Sequence, residues 1–493
     1  MNNQGCKRVA PEDKITTLPD EILLNILSLL TVKEAVATSI LSRRWRYVWT
    51  SLLRLHFRYE DVVQNDDKDN EILRQTRKAH GVYKDRCIQM VNQVLRARKG
   101  RELREFGIHY PLLESSTCHI HLWVAFAIAI GVSKLELNFS PYPFPDYICL
   151  DKNYSIPLDL FDKTKGLESF LLQLDHVFSI PTSSLNVQNR FESLRELLLK
   201  FVDLRNEHFE AILSNCTSLE CLHLLRCRSL VNVKHIVPHM KLNCLEIYHC
   251  SNLKNVEIFA PNLVSFKYRG PSIYIFVKDA KQLVNLCMCS YRERENGYAR
   301  VNYYGLPYMQ KKDFLFGQFA DYLSRLEYLM MDVGSFEVKQ GFNKVSLFSN
   351  LKHLSLTCLN RSHGPDGMLC CYHTVAGFVN TSPFLHRLEL HFSLAPTKNP
   401  ELSRITISPH IHLKEVLVSG FSGNELARDI ILSIFDFAIE LEKIGITTVY
   451  LGDLSRRPYK NRNADIEVVR RCIQQLHQRL PANAQLHFLD DHF

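Results

Sequence analysis

The sequence lacks the cysteine spacings that would indicate disulfides or a metal site. Its 493 residues include 15 cysteines, an odd number, and no two of them form a C-x-x-C motif. The two closest pairs are adjacent or one residue apart, which is too close for the usual zinc-ligand spacings. Several cysteines lie within apolar segments, where a thiol acts as a small buried hydrophobe: Cys221, Cys244 and Cys287. We therefore expect reduced thiols, no metal, and a location in the nucleus or the cytoplasm.

Long hydrophobic runs are also lacking. No stretch reaches the roughly 18 apolar residues needed to span a bilayer, and the segment at 123–132 is too short and is followed by Lys134. The first 14 residues contain no hydrophobic run, so they do not form a secretory signal. The net charge is +8, and the basic residues are spread along the chain. The sequence thus predicts no membrane partner and no nucleic-acid partner.

Catalytic signatures are lacking as well. The sequence contains no phosphate-binding loop, no G-x-S-x-G, no H-E-x-x-H and no G-x-G-x-x-G motif. Two H-x-H pairs, His119/His121 and His410/His412, would each point to one side of a strand, but matched further ligands are not identifiable. We interpret them as structural or surface histidines. The sequence predicts a non-enzymatic chain without catalytic residues, cofactor or metal.

What the sequence does contain is most informative near its start. Residues 13–49 predict three short helices. Pro19 stands at a first helical turn, where its missing N–H is tolerated, and Asp20 and Glu21 follow at the positive end of the helix dipole. Thr31 and Glu34 have the spacing of a capping box. Helices this short cannot bury all their apolar side chains among themselves, and exposed apolar surface of this kind indicates a partner site.

This stretch resembles an F-box of the large plant group. The residues that carry the resemblance are Leu18, Pro19, Ile22, Leu23, Ile26, Leu27, Leu30, the run KEAVATSILS, Arg44, Trp45 and Trp49. The resemblance implies that the segment binds a Skp-type adaptor and, through it, a cullin-based ubiquitin ligase. The predicted adaptor-binding residues are Leu18, Pro19, Ile22, Leu23, Ile26, Leu27, Leu30, Leu41 and Trp45. The alternative is an ordinary helical cap on a larger fold.

An internal repeat fills most of the remaining chain. The pattern L-x-x-L-x-L, with conservative replacements, recurs from LESFLL at 167 to LEKIGI at 441, with opening copies at 103 and 132. Most steps fall in the leucine-rich-repeat range of about 20–29 residues, and VNYYGL at 301 is a degenerate copy inside the longest gap. Copies of this kind stack into a curved parallel sheet, with helices such as 206–218 on the convex side. The alternative is a conventional α/β domain with leucine-rich strands.

The C-terminal part resembles the FBD segment that follows the repeats in many plant F-box proteins. The matching residues within 412–446 are Leu413, Lys414, Gly420, Phe421, Gly423, Glu425, Leu441 and Glu442. The pattern predicts a strand, a glycine-containing turn, a helix with a core-facing apolar stripe and a second strand. A helix at 466–478 and a last strand follow. We expect this segment to cap the open edge of the sheet.

Taken together, these patterns predict an α/β chain that begins with a three-helix F-box. The predicted domains are an F-box at 13–59, a linker and helix at 60–100, a leucine-rich-repeat solenoid at 101–410 and an FBD-like cap at 411–493. Irregular segments are expected at 61–70, 140–157 and 292–313. The predicted function is that of a substrate-recognition subunit of a Skp–cullin–F-box ubiquitin ligase. The alternative is a leucine-rich-repeat scaffold or ligand sensor that acts outside a ligase.

Overall fold

The computed structural model forms two compact units, residues 1–219 and residues 220–493, which are described separately. It describes residues 18–62, 77–98, 102–112, 114–139, 166–173, 191–214, 216–236, 241–271, 273–291, 319–332, 347–359, 365–393, 407–451, 459–460 and 465–489. The expected irregular segments at 140–157 and 292–313 and the repeat copy at 301 lie outside these ranges, as do residues 13–17 and most of 61–70.

The first unit opens with the three predicted helices. They are α1 (Asp20–Leu27), α2 (Val32–Ala37) and α3 (Trp45–Val48), with short 3₁₀ turns at Thr38–Ile40 and Trp49–Ser51. The capping box forms as predicted, since the Glu34 backbone N–H donates to Thr31 Oγ1 and the Thr31 N–H donates to the Glu34 carboxylate at 2.9 Å. Local sequence thus determines where α2 begins.

A parallel sheet follows in the same unit. Its strands run in the order β1 (Arg54–Arg58), β2 (Glu105–His109), β3 (Lys134–Asn138), β4 (Ser169–Gln173) and β5 (Glu196–Lys200). Four helices accompany them: α4 (Tyr59–Val62), α5 (Arg77–Ala97), α6 (Thr117–Ile130) and α7 (Asn206–Leu213). The helix predicted within 87–98 is therefore the second half of a longer one, and the helix expected at 206–218 is confirmed at its beginning.

The second unit contains a larger parallel sheet. Its ten strands are, in spatial order, β6 (Cys221–Leu225), β8 (Cys244–Tyr248), β10 (Ser265–Pro271), β12 (Asn285–Tyr291), β13 (Tyr328–Asp332), β14 (His353–Leu359), β15 (Arg387–Ser393), β16 (Glu415–Ser419), β17 (Lys443–Ile446) and β20 (Gln485–Phe488). Its helices are α8 (Pro365–Asn380), α9 (Glu425–Phe437) and α10 (Ile466–His477), with a 3₁₀ turn at Ala320–Arg325.

The repeat pattern and the strands coincide position by position. In every described copy between 103 and 446, the strand begins at the third residue of L-x-x-L-x-L. Within β6, Leu222 and Leu224 are buried while the residues around them are partly exposed. Since neighbouring side chains in a strand point to opposite faces, each copy buries its leucines on one face. In β3, β4 and β6 the other residues are partly exposed on the second face, whereas β13 buries residues of both faces. The predicted stacking of repeats is confirmed.

Three of the repeats differ from the expectation of a helix on the second side. There the returning segment is a strand, β7 (Asn232–Ile236), β9 (Asn255–Phe259) or β11 (Tyr274–Lys278), and the three form a separate sheet in the order β11-β9-β7. The repeats concerned have the shortest steps, about 20–23 residues, which suit a strand better than a helical crossover. The short step and alternating apolar residues were the signals for these strands.

The C-terminal segment follows its prediction and adds a short pair of strands. The order of strand, glycine turn, helix and strand is confirmed, and Gly420 and Gly423 have positive φ angles of 68° and 75°. The expected stripe on α9 is buried. β16, β17 and β20 pair in parallel as further strands of the larger sheet, so the segment covers the edge of β15 by extending the sheet. The remaining pair of strands, β18 (Val449–Tyr450) and β19 (Tyr459–Lys460), is antiparallel.

Two predictions about side chains need correction. Cys221 and Cys244 are only partly buried, because each is the first residue of its strand and points to the open face; Cys287 is buried as expected. His119 and His121 lie on the helix α6, where residues two apart point to different sides. Among the described residues, no helix combines the length and apolar character needed to cross a bilayer.

Candidate functional site: the helical surface at residues 18–51

The helix α1 divides its apolar residues between core and solvent. Leu23 and Leu27 are completely buried, whereas Ile22 and Ile26 remain 43% and 40% exposed. Ile22 and Ile26 are four residues apart, so they lie on one face of the helix. Pro19 is exposed and Leu18 partly exposed just before this face begins. Because this helix is apolar nearly all round, it has two apolar faces. One packs in the core, and the other is available to a partner.

Apolar exposure continues beyond the helix. Leu29 is 86% exposed and Leu30 39%, and after α2 the residues Ile40 and Leu41 are 88% and 63% exposed. The number of large apolar side chains exposed on this short segment is higher than is usual for the surface of a soluble protein. We call the exposed set the apolar helical surface: Pro19, Ile22, Ile26, Leu29, Leu30, Ile40 and Leu41.

The predicted adaptor-binding residues thus separate into two groups. Leu18, Pro19, Ile22, Ile26, Leu30 and Leu41 are exposed or partly exposed, while Leu23, Leu27 and Trp45 are buried within the chain. The last three support the helices and offer little surface to a partner, so direct contact is no longer expected of them. Leu29 and Ile40 were missing from the predicted set. Leu29 lies two residues after the end of α1 and Ile40 is the last residue of a 3₁₀ turn, and the apolar pattern alone did not distinguish them from buried residues such as Leu27.

Polar contacts hold the three helices together. The Arg44 Nε donates to Asp20 Oδ1 at 3.0 Å and so connects the residue before α3 to the first turn of α1. At the start of α2, the hydrogen bond from the Thr31 backbone, and then that from its hydroxyl, lower the pKa of the Glu34 carboxyl. Both contacts are at the surface, where their contribution to stability is small. The first connects α1 to α3, and the second caps the start of α2.

The strand β1 joins this helical segment directly to the repeat sheet. Arg54 to Arg58 pair in register with Glu105 to His109 of β2, and Leu55 and Phe57 are buried. The Arg98 side chain donates to the Leu52 carbonyl at 2.7 Å, which ties the end of α5 to the entry of β1. The predicted first domain, 13–59, therefore contains a strand that is structurally part of the repeats.

The open faces of the sheets carry the polar side chains of the repeats. In the second unit, His223 and Glu246 are register neighbours across β6 and β8, and His223 Nδ1 lies 2.9 Å from Glu246 Oε2. Lys267 on β10 lies 2.8 Å from Glu246 Oε1. Burial alone would raise the pKa of the Glu246 carboxyl, but these two hydrogen bonds outweigh it and lower the pKa to about 2. Glu246 is therefore ionised at neutral pH.

A buried polar network lies farther along the same sheet. His391 Nε2 is 2.9 Å from Ser355 Oγ, and His391 Nδ1 is 2.6 Å from Ser419 Oγ. Serine and histidine in contact resemble an activated nucleophile, but all three side chains are almost completely buried. Because a substrate cannot reach these side chains, we assign this network a structural role. His391 and Ser419 are register neighbours on β15 and β16, and Ser355 lies two residues before the neighbour of His391 on β14, so only the sheet brings the three together.

His410, one of the H-x-H residues, also has a structural environment. Its Nε2 lies 2.9 Å from the Ser382 carbonyl oxygen, and its Nδ1 accepts a hydrogen bond from the Leu413 backbone N–H at 3.1 Å. These contacts require the proton on Nε2 and a neutral ring. Burial lowers the pKa of His410, although the Ser382 contact partly opposes it. The interpretation of His410 as a structural histidine fits these contacts.

Two family models match the chain. One is described as the At1g61320/AtMIF1 LRR domain and matches residues 94–484, and the other is the F-box domain and matches residues 15–57. The second match covers the apolar helical surface. The first covers the strands from β2 to β19 and ends one residue before β20. Neither model describes a catalytic family.

Curated relatives from Arabidopsis thaliana carry corresponding names. The chain is 32% identical over 213 residues to the F-box/FBD/LRR-repeat protein At2g04230, 28% identical over 212 residues to the putative F-box/LRR-repeat protein At3g28410, and 29% identical over 227 residues to the F-box/FBD/LRR-repeat protein At3g52680. The matches cover 43%, 43% and 44% of this chain and 42%, 37% and 41% of those proteins. Two of the three names include the FBD segment.

Proposed function

Because the chain belongs to the At1g61320/AtMIF1 LRR-domain family and carries an F-box domain, we propose that it is the substrate-recognition subunit of a Skp–cullin–F-box ubiquitin ligase. In this role the F-box binds a Skp-type adaptor, which connects it to a cullin. The repeats bind a target protein. The proposed location is the nucleus or the cytoplasm, where the thiols stay reduced.

The apolar helical surface is the observation that supports adaptor binding most strongly. Isolated exposed hydrophobics are common, but here they follow one another within residues 19–41, in the segment that matches the F-box. Burying such a group against a partner contributes about 25 cal/mol per Å² of apolar surface removed from water, a gain that the entropy costs of association partly offset. A few central side chains usually provide most of the binding energy of an interface.

The proposed mechanism is proximity. The chain supplies no bond-forming group and instead holds a target near a ubiquitin-charged enzyme that the ligase provides. Binding both partners turns an encounter in solution into a reaction within one complex, which raises the effective concentration of the target. The open strand faces suit target binding, because their side chains can differ without disturbing the buried leucines.

Co-purification from plant cells tests the proposal. The full chain should retain a Skp-type adaptor and a cullin, and the double variant Ile22→Ala/Ile26→Ala should lose at least about tenfold in adaptor binding, which corresponds to about 1.4 kcal/mol. Leu122→Ala is the matched control, because it removes an exposed apolar side chain on α6, outside the F-box match. Absence of the adaptor with the full chain would overturn the proposal and favour a scaffold outside a ligase, and equal recovery with the double variant would overturn the assignment of adaptor binding to Ile22 and Ile26.

A further inference from the structure

Two histidines and a glutamate converge on the open face of the first sheet. His109 Nε2 lies 2.8 Å from Glu136 Oε2, and His56 Nδ1 lies 3.6 Å from the same oxygen. The ligand atoms of these three residues are all within 4.8 Å of one another. Each side chain is partly buried. This is a compact set of two imidazole nitrogens and one carboxylate oxygen, on three different strands.

The register of the strands creates this set. His56 on β1 is the neighbour of Gly107 on β2, and Gly107 is the neighbour of Glu136 on β3. His56 and Glu136 are thus two strands apart, and the ring of His56 reaches across the glycine that separates them. A Cβ atom at Gly107 would lie only 2.4 Å from His56 Nδ1. The absence of a side chain at 107 is what allows His56 to approach Glu136.

Outer contacts orient two of the three groups. Glu105 Oε2 is 3.1 Å from His56 Nε2, which places the ring proton on Nε2 and leaves the lone pair of Nδ1 toward Glu136. Lys134 Nζ is 2.7 Å from Glu136 Oε1, which leaves Oε2 toward the histidines. Metal-binding histidines commonly donate their second N–H to a carboxylate in this way, which orients the ring and increases its basicity.

The surroundings leave room for a metal ion and its remaining ligands. A cavity of about 420 Å³ lies beside the set and is lined by His56 and Glu136 but not by His109. Its other lining residues include Glu105, Lys134, Arg54, Arg58, Asp61 and residues between α1 and α2. Two histidines with one carboxylate are the protein ligands of many Zn²⁺ sites that keep a further position open. The same donor set also suits other divalent first-row metals.

From this geometry we infer that His56 Nδ1, His109 Nε2 and Glu136 Oε2 form a binding site for a divalent transition-metal ion of the Zn²⁺ class. The ion takes the place of the hydrogen bond between His109 and Glu136, and its open position faces the cavity. The prediction that the chain holds no metal rested on spacings along the sequence, and this site arises from spacing across strands.

Zn²⁺ titration of the full chain against a chromogenic chelator tests the inference. Removing a ligand (His109→Ala or Glu136→Gln) or blocking one (Gly107→Ala) should abolish one bound Zn²⁺ per chain, whereas Glu105→Gln should weaken it by about 10–100-fold. His487→Ala is the matched control, because it removes an exposed histidine in the second unit. Any Zn²⁺ that binds to the thiols of Cys221 and Cys244 binds to the wild type and to every variant alike, so it does not affect the differences between them. Identical Zn²⁺ stoichiometry in the wild type and all variants would overturn the inference.

A second measurement uses the unaltered chain and does not depend on the folding of a variant. Diethyl pyrocarbonate modifies accessible imidazole nitrogens, and mass spectrometry locates the modified residues. Zn²⁺ should protect His56 and His109 from modification and leave His487 unprotected. Equal modification of His56 and His109 with and without Zn²⁺ would mean that the cluster is a hydrogen-bonded group only and would overturn the inference.

Discussion

At the scale of single residues, burial separates two roles that the sequence presents as one. Ile22 and Leu23 are neighbours of nearly equal hydrophobicity, yet Ile22 is exposed and Leu23 is buried. A helical pattern identifies both as apolar positions but does not show which face meets the chain's own core, because the helix is apolar nearly all round. Which of the predicted adaptor-binding residues are accessible therefore required the packing of α1 against its neighbours.

We predict that Leu23→Ala strongly lowers the stability of the folded chain and that Ile22→Ala hardly changes it. Leu23→Ala leaves a cavity and should lower the free energy of unfolding by about 2–5 kcal/mol. Ile22→Ala should change it by less than about 0.5 kcal/mol, since surface substitutions rarely do more. Tryptophan fluorescence during urea unfolding measures this directly, because Trp45, Trp49 and Trp123 all lie in the first unit. Similar destabilisation by both substitutions would contradict the assigned faces.

His410 should make the stability of the second unit dependent on pH. Its ring is neutral in the folded chain, and burial lowers its pKa, whereas the unfolded chain takes up a proton near pH 6.5. Below that pH the unfolded state binds more protons, so stability is greatest above pH 6.5 and falls as the pH decreases toward the folded-state pKa. His410→Gln should flatten this dependence between pH 7.5 and 5.5 in thermal unfolding followed by circular dichroism. An unchanged slope would contradict this role.

At the scale of elements, the strands were far more predictable than what connects them. The two leucines of each copy are required by the sheet itself, so LECLHL and LKHLSL both specify a strand and the face that it buries. The connections have no such requirement. The segment at 255–259 forms a strand of the second sheet, while 425–437 forms a helix, although each returns the chain to the same sheet. Clusters of side chains from different strands, such as His56 with Glu136, could not be predicted from the sequence either, because they depend on how the strands are aligned with one another.

Two glycines should respond oppositely to alanine substitution. Gly420 has a φ of 68°, and a Cβ there would lie 2.2 Å from the Phe392 carbonyl oxygen, so Gly420→Ala should destabilise the second unit by more than about 1–2 kcal/mol. Gly81 in α5 has free space around it, and Gly81→Ala should stabilise the first unit by about 0.5–1 kcal/mol. Thermal unfolding of the two variants provides the comparison. Stabilisation by Gly420→Ala would show that the turn is not constrained.

Shortening the chain from its C-terminal side should reveal how the last strands protect the sheet. A 1–410 fragment lacks β16, β17 and β20, so the long strand β15 becomes an unpaired edge and Leu388 and Leu390 lose their neighbours. This fragment should aggregate. A 1–480 fragment lacks only β20, whose side chains are partly or fully exposed, and should aggregate much less. Size-exclusion chromatography with light scattering measures both, and a monomeric 1–410 fragment would contradict the expectation.

At the scale of the whole molecule, the two proposed tasks should separate by substitution but not by deletion. The full chain with Ile22→Ala/Ile26→Ala keeps its repeats and should still bind its target in cells without promoting ubiquitination, so the target should accumulate. Deletion of residues 1–58 also removes β1 and uncovers β2. We therefore expect the deleted protein to be insoluble or degraded. Target loss with the double variant, measured by a protein-stability chase, would contradict the separation.

The alternation of buried and open positions in each strand has a consequence for how such chains change over generations. In β8, Leu245 and Ile247 are completely buried, while Cys244 and Glu246 are partly exposed. Mutations at the buried positions strongly destabilise the sheet and are removed, whereas mutations at the partly exposed ones cost less stability. After gene duplication, the open positions are therefore free to diverge, and a copy can acquire a new binding partner without first losing its fold.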